Sequence, residues 1–236
     1  MNVLAGTSGY AYKEWRGSFY PEDIKNDGML AYYARQFRTV EINNTFYRLP
    51  SEKVLRQWVD RVPEDFTFAL KASQRITHHK RLKDAGEPLE YLLRTARVLA
   101  ERQGPILFQL PPNMKKDIER LRDFLALLPV RTEAAMEFRH LTLFDEEVYA
   151  ALRVHNVAFC VADTEEGAPE TETTASFGYL RMRREHYDDA ELGSWVEWIR
   201  RQNWERAFVF FKHEDAGAGP ALAKRFLTLM ESGSAS

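Results

Sequence analysis

The sequence predicts an α/β fold, a single (β/α)8 TIM-type barrel with an irregular crossover after strand six. Three observations carry that expectation. Eight short apolar or alternating runs recur along 236 residues, and amphipathic helical patterns separate most of them. The turn after the first run, GTSGYAYKEW, lacks the G-x-G-x-x-G spacing that marks an open doubly wound sheet. Strands alternating with helices imply parallel βαβ units, and eight such units imply a closed barrel.

The elements follow in order. Val3–Thr7 is the first strand, and MLAYYARQF is the helical pattern before the second, Thr39–Asn43. Ser51 is placed to cap SEKVLRQWVDRV, which leads to Phe66–Lys71. PLEYLLRTARVLAERQ, with Pro88 in its first turn, precedes Ile106–Leu110, and DIERLRDFLALL precedes Ala134–Arg139. DEEVYAALRVH leads to the sixth strand, Val157–Asp163. The next segment, TEEGAPETETTA, carries Gly, Pro and acids with no helical stripe, so this crossover is expected to be a loop. Phe177–Arg183, the helix ELGSWVEWIRRQ, Ala207–Lys212 and PALAKRFLTLM, with Pro220 in its first turn, complete the series. Residues 1–230 read as one domain and 231–236, ESGSAS, as a disordered polar tail.

The bulk composition narrows the function classes. A formal net charge of -2 with 29% charged residues offers no global basic field, which argues against long nucleic acid as a partner. The single cysteine, Cys160, sits in an apolar run, so neither a disulfide framework nor a thiolate zinc cluster is expected. The start lacks a basic leader and no apolar run reaches membrane-spanning length. These features together predict a cytoplasmic protein that does not enter the membrane.

The functional signal lies in strand parity. In TVEINNTFYRLP, Val40 and Ile42 share one face while Glu41 and Asn43 share the other, and burying a carboxylate and an amide demands partners. The pattern recurs at strand ends, with Lys71 in FTFALK, Gln109 in ILFQL, Glu137 and Arg139 in AAMEFR, Asp163, Arg181 and Lys212. In a barrel the bulky face packs on the helices, and the polar set meets at the C-terminal mouth. Four bases, Lys71, Arg139, Arg181 and Lys212, then face three acids, Glu41, Glu137 and Asp163, which favours a small anionic ligand. The opposing possibility is a self-satisfied salt-bridge plug. Trp15 and Tyr47 in the following loops suit stacking on a sugar or base, or sealing the rim, and His78 and His140 lie just beyond strands three and five.

Several motifs also resemble a known family: GTSGY with WRGSFYP, VEINNTFYRLP, FTFALK followed by Thr77–His78, GPILFQLPP, EFRH, a strand-end Asp163 and YLRMR. From Leu4 to Leu229 the chain is similar in these motifs to the YecE-like family, domain of unknown function 72. The resemblance implies a TIM-type barrel with no established reaction. Its motif residues fall on Ser8, Gly9, Trp15, Gly17, Glu41, Asn43, Thr45, Phe46, Tyr47, Lys71, His78, Gln109, Pro111, Glu137, Arg139, His140, Asp163 and Arg181. The chain departs from the family pattern at strand eight, where FFKHED stands in place of an F-N type ending, and after strand seven, where RMRREHY lacks the expected H-G.

Three functions compete at this stage. In the first, a metal-independent hydrolase or lyase acts on a small anionic, sugar- or nucleotide-like substrate. Arg139 and Arg181 clamp the anion, Lys71 stabilises developing charge or forms a Schiff base, and Glu41 or Glu137 is the general base. Ser8, Asn43, Gln109, His140 and Lys212 add binding contacts. In the second, Glu41, Glu137, Asp163 and His78 hold Mg²⁺ or Mn²⁺ for phosphoester hydrolysis. The third is a non-enzymatic nucleotide- or nucleic-acid-binding barrel.

Overall fold

The computed structural model describes residues 1–212 and 217–232. Eight strands form one sheet: β1 (Asn2–Thr7), β2 (Thr39–Ile42), β3 (Thr67–Lys71), β4 (Gln103–Gln109), β5 (Ala134–Glu137), β6 (Ala158–Asp163), β7 (Phe177–Met182) and β8 (Arg206–Phe211). All pair in parallel, in the order β1-β8-β7-β6-β5-β4-β3-β2. The remaining seam brings β2 against β1. There Ser8 and Glu41 form a parallel bridge and the Gly9 amide donates to the Glu41 carbonyl at 2.8 Å. Gly6 permits this closure, because a Cβ there would lie 2.2 Å from the Thr39 carbonyl oxygen. Tyr33 pins the same seam: its hydroxyl accepts from the Thr7 amide at 2.8 Å and donates to the Thr39 carbonyl at 3.1 Å. The eight-stranded α/β barrel implied by the alternation is therefore the fold.

The described helices are α1 (Met29–Gln36), α2 (Glu52–Val59), α3 (Gly86–Ala96), α4 (Ile118–Ala126), α5 (Glu146–Val154), α6 (Asp189–Arg200) and α7 (Ala218–Ser232). Asp117 and Asp145 cap α4 and α5, and Asp188 with Glu191 forms a capping box on α6. Between β6 and β7 the described chain is irregular, with one small bridge from Thr164 to Gly167. No helix among the described residues is long and apolar enough to cross a membrane.

Three boundaries differ from expectation. Ser51 stands at the N-cap of α2, but its hydroxyl makes no capping bond; the Val54 and Leu55 amides take its carbonyl instead. The long pattern beginning at Pro88 stops being α-helical at Ala96, and Ala100 (φ 50°, ψ -129°) breaks the 3-10 turn that follows. The cause is the early start of β4: Gln103 already pairs with Phe68, so the chain must leave the helix within a few residues. The last helix runs on through Glu231 and Ser232, and the remainder of the expected tail lies outside the described residues.

Parity divides the core into two layers. Val40, Ile42, Phe66, Phe68, Ile106, Phe108, Met136, Phe159, Val161, Val209 and Phe211 belong to the layer between strands and helices. The lumen is filled by Ala69, Leu107, Ala135, Ala158 and Cys160 opposite the larger Phe177, Tyr179, Phe208 and Phe210. Small residues on β3, β5 and β6 thus make room for four aromatic rings from β7 and β8. Above this packed floor, each strand's next lumen-facing residue is polar or charged on β2, β3, β4, β5 and β7.

Candidate functional site

The first tier of the mouth is a buried ionic cluster. Arg181, on β7, donates through Nη2 to Glu41 Oε1 at 2.9 Å and through Nη1 to Glu137 Oε2, and it reaches Gln109 Oε1 at 3.4 Å. Glu41 and Glu137 are fully buried, and Arg181 is 2% exposed. Glu41 also accepts from Ser8 Oγ at 2.7 Å, Asn43 Nδ2 at 3.1 Å and the Tyr179 hydroxyl at 2.7 Å. Four donors on one carboxylate fill its acceptor capacity. Glu137 accepts Nε and Nη2 of Arg139 on its other oxygen, at 2.7 and 2.6 Å.

Electrostatics fix the charge states. Burial alone would raise the pKa of Glu41, but Arg181 and the Ser8 and Tyr179 hydroxyls outweigh it and hold Glu41 ionised. Burial likewise opposes ionisation of Glu137, yet Arg181, Arg139 and Arg183 bring it down to about 2. Burial and the Glu41 carboxylate push Tyr179 well above its ordinary value, so it stays a hydrogen-bond donor. These carboxylates orient Arg181 and are in turn neutralised by it. At such low proton affinity they are weak bases.

A second, more accessible tier lies above. Lys71 is partly buried, with Nζ 4.4 Å from the centre of the Phe46 ring. Burial first, then the field of Arg181, lowers its pKa to about 8 against the opposing pull of Glu137 and Glu41. Arg183 is also lowered, by burial and by Arg181. Among the described residues neither Lys71 nor Arg183 makes an ion pair within 4.0 Å. The Arg139 side chain is 31% exposed. Three guanidiniums and one amine thus face two carboxylates, which leaves the mouth net positive. His78 stands edge-on to Phe46 at 4.9 Å, shares a hydrogen bond with Thr77 Oγ1 at 2.9 Å, and is lowered by burial and by Lys71. Asn43 Oδ1 is buried and has no partner among the described residues.

The structure therefore brings Ser8, Glu41, Asn43, Lys71, Gln109, Glu137, Arg139 and Arg181 to one mouth, with His78 beside Lys71. Lys212 continues the lumen parity of Phe208 and Phe210, and His213 lies outside the described residues. Four expectations need correction. Asp163 shares the parity of Phe159 and Val161, so it points to the helix side, where Arg184 Nε and Trp195 Nε1 each donate to it at 3.1 Å. Trp15 is fully buried and packs on Phe19 and Tyr20, so it belongs to the core beneath the rim and cannot stack on a ligand. His140 caps a short turn through Nδ1, shared with Thr142. Arg181 cannot clamp an external anion, because both terminal nitrogens are committed to buried partners. Tyr47 is 73% exposed on the rim beside Phe46.

Two ring members were not among the expected site residues. Tyr179 and Arg183 flank Arg181 at a spacing of two, and the alternation that selected Arg181 selects them as well.

Comparison with known proteins gives the family and the fold. The description "Protein of unknown function DUF72" matches residues 4–235. The chain belongs to the DUF72 family. This DUF72 barrel is similar to UPF0759 protein YecE of Escherichia coli (strain K12), with 33% identity over 113 residues, 48% of this chain and 42% of that protein. The match thus spans less than half of YecE. UPF0759 protein YunF of Bacillus subtilis (strain 168) is 22% identical across 91% of this chain and 90% of YunF. Among solved structures, a DUF72 family protein from Thermotoga maritima superposes with a TM-score of 0.86 at 29% identity, covering 98% of this chain and all of that one. A DUF72 protein from Enterococcus faecalis, at 16% identity and a TM-score of 0.79, covers 97% of this chain and 95% of its own and shares the fold.

Proposed function

We propose that the mouth is the active site of an enzyme of hydrolase or lyase type acting on a small anionic molecule. In this reading Arg139 and Arg183 hold the anionic group, and Lys71 moves the proton. The observation that carries it is Lys71: an amine lowered to about 8, without a carboxylate partner among the described residues, set between Phe46 and the guanidiniums of the ring. At pH 7 about a tenth of such an amine is neutral, roughly three hundred times the fraction at the ordinary value. It can take a proton from a substrate carbon or a water and return it. The buried Glu41–Arg181–Glu137 cluster acts as its foundation, since the Arg181 charge is part of what depresses Lys71. The donor set argues less well for Mg²⁺ or Mn²⁺: Glu41 and Glu137 are spent on Arg181, Asp163 faces the helices, and no cluster of three metal-ligating side chains occurs among the described residues.

Calorimetric titration with inorganic phosphate tests the reading. Phosphate binds the wild type at pH 7, binding weakens at pH 9 as Lys71 loses its proton, and Arg139→Ala with Arg183→Ala abolishes it. Unchanged phosphate affinity in the double variant overturns the assignment. A shallow salt dependence is expected, because a single small anion displaces few counterions.

A further inference from the structure

Beside the mouth the barrel wall opens. β4 and β5 pair up to Gln109 and Glu137, and β6 and β7 pair up to Asp163 and Met182, but β5 and β6 pair only at Ala135 with Ala158 and Met136 with Phe159. Beyond those two rungs the strands part. The gap forms a cavity of about 230 Å³, roofed by the irregular β6–β7 loop. Its walls are mainly apolar, made by Phe138, Leu141, Phe144, Phe159, Cys160 and Ala162, with Thr164 at the loop side. Arg139 lines it too, while its guanidinium pairs with Glu137 in the charged mouth, so this one residue touches both. Glu166 and Glu170 line it from the loop and would repel a second anionic group placed beside them.

We propose that this cavity is a subsite for an uncharged aromatic or compact aliphatic group carried by the same substrate whose anionic end sits at Arg139 and Arg183. The proposal rests on the anion-binding reading of the mouth and narrows the substrate to an amphipathic anion, such as an aryl or branched-alkyl phosphate or carboxylate. The size fits: an apolar cavity of about 150 Å³ accepts a benzene ring, so the larger volume here takes one ring with its linking atoms. The placement fits as well. A group leaving the mouth past Arg139 meets the rings of Phe138, Phe144 and Phe159, with Cys160 shared between the cavity wall and the lumen packing, whereas the rest of the lumen below is filled by Tyr179, Phe208 and Phe210. The irregular crossover thereby acquires a purpose, because a regular β6–β7 helix would not lay Gly167, Ala168 and Pro169 across this opening.

The test compares inorganic phosphate with phenyl phosphate by calorimetry on the full chain. Wild type is expected to bind phenyl phosphate at least about tenfold more tightly than phosphate, as burial of a ring's apolar area requires. Ala162→Leu, which fills the cavity, is expected to erase that gain while leaving phosphate affinity as it was. Leu141→Ser, at a wall residue that is 81% exposed and tolerant of exchange, should reduce the gain in a chain whose melting temperature is unaltered. Equal affinity for the two ligands in the wild type overturns the subsite and spares the mouth. A gain that survives both substitutions places the ring elsewhere and also overturns it. If neither ligand binds, the mouth reading fails and the subsite falls with it.

Discussion

Replacing Arg181 with methionine exposes how the mouth is held together. The substitution leaves Glu41 and Glu137, both fully buried, without their shared cation. Two routes give the size of the effect. Glu137 sits at about 2 where 4.5 is ordinary. At about 1.36 kcal/mol per pH unit that difference is worth about 3 kcal/mol of stability. Removing one partner from a buried ion pair costs about 3–5 kcal/mol, which agrees. A domain of this length loses about 2–4 °C in melting temperature per kcal/mol, so Arg181→Met should melt about 6–12 °C below wild type at pH 7. The sign with pH follows from the depressed value. The folded-state pKa lies below the unfolded one, so the stabilisation is present above about 4.5 and is lost as pH falls toward 2. The gap between wild type and variant should therefore close over that range, as the stranded carboxylates protonate. Adding Glu41→Gln and Glu137→Gln to Arg181→Met should recover much of the loss, since no buried charge then lacks a partner. Melting curves by circular dichroism at pH 7, 5, 4 and 3 read all of this. A drop under about 3 °C at pH 7, or a gap that stays constant down to pH 3, overturns the assignment of Arg181 as the shared counter-ion of Glu41 and Glu137.

Other consequences are smaller or opposite in sign. Tyr179→Phe removes a hydroxyl donor to the ionised Glu41 and should cost about 1.5–3 kcal/mol, read as a lower urea midpoint at pH 7 with an unchanged slope. Gly6→Ala forces a Cβ against the Thr39 carbonyl and should destabilise by about 1–3 kcal/mol through the β1–β2 seam, seen as faster amide exchange at Gly9, whose amide bonds across the seam to Glu41. Lys71→Met should stabilise. Its amine is lowered in the fold, so keeping it protonated opposes folding below about 8, and the loss of that cost is worth about 1–2 kcal/mol at pH 7 after allowance for solvent screening. The advantage of the methionine variant should shrink as pH rises from about 8 to 10.5. A Lys71→Met variant less stable than wild type at pH 7 contradicts a depressed amine.

Much of this was legible in the sequence, and the limits have physical causes. Parity alone brought Glu41, Lys71, Glu137 and Arg181 together from four strands, because a period of two leaves a side chain on a barrel strand only two choices. The same rule, applied to β6, places Asp163 with Phe159 and Val161; its position at a strand end outweighed its face in the expectation. Trp15 illustrates a different limit. Its loop is irregular and has no period to read, and only the packing of Tyr12, Phe19 and Tyr20 around it reveals a satellite core. The division of charged residues into a saturated lower tier and an accessible upper tier depends on height along the barrel axis. Composition does not encode height, so Arg181 and Arg139 look alike in sequence although one is sealed and the other reaches the surface. The β5–β6 opening depends on where pairing stops, which neither strand's own pattern announces.

The proposed function turns on a lysine of unusually low proton affinity, Lys71, beside the proposed anion site at the mouth. Proton titration of Lys71, followed by NMR in protein carrying ¹³C at the lysine ε-carbon and assigned by the signal lost in Lys71→Arg, tests it most directly. The expected midpoint is about 8, moving upward when phosphate is added, because a bound anion stabilises the ammonium form. A midpoint at or above 10, or one that phosphate does not move, overturns the proposed role of Lys71.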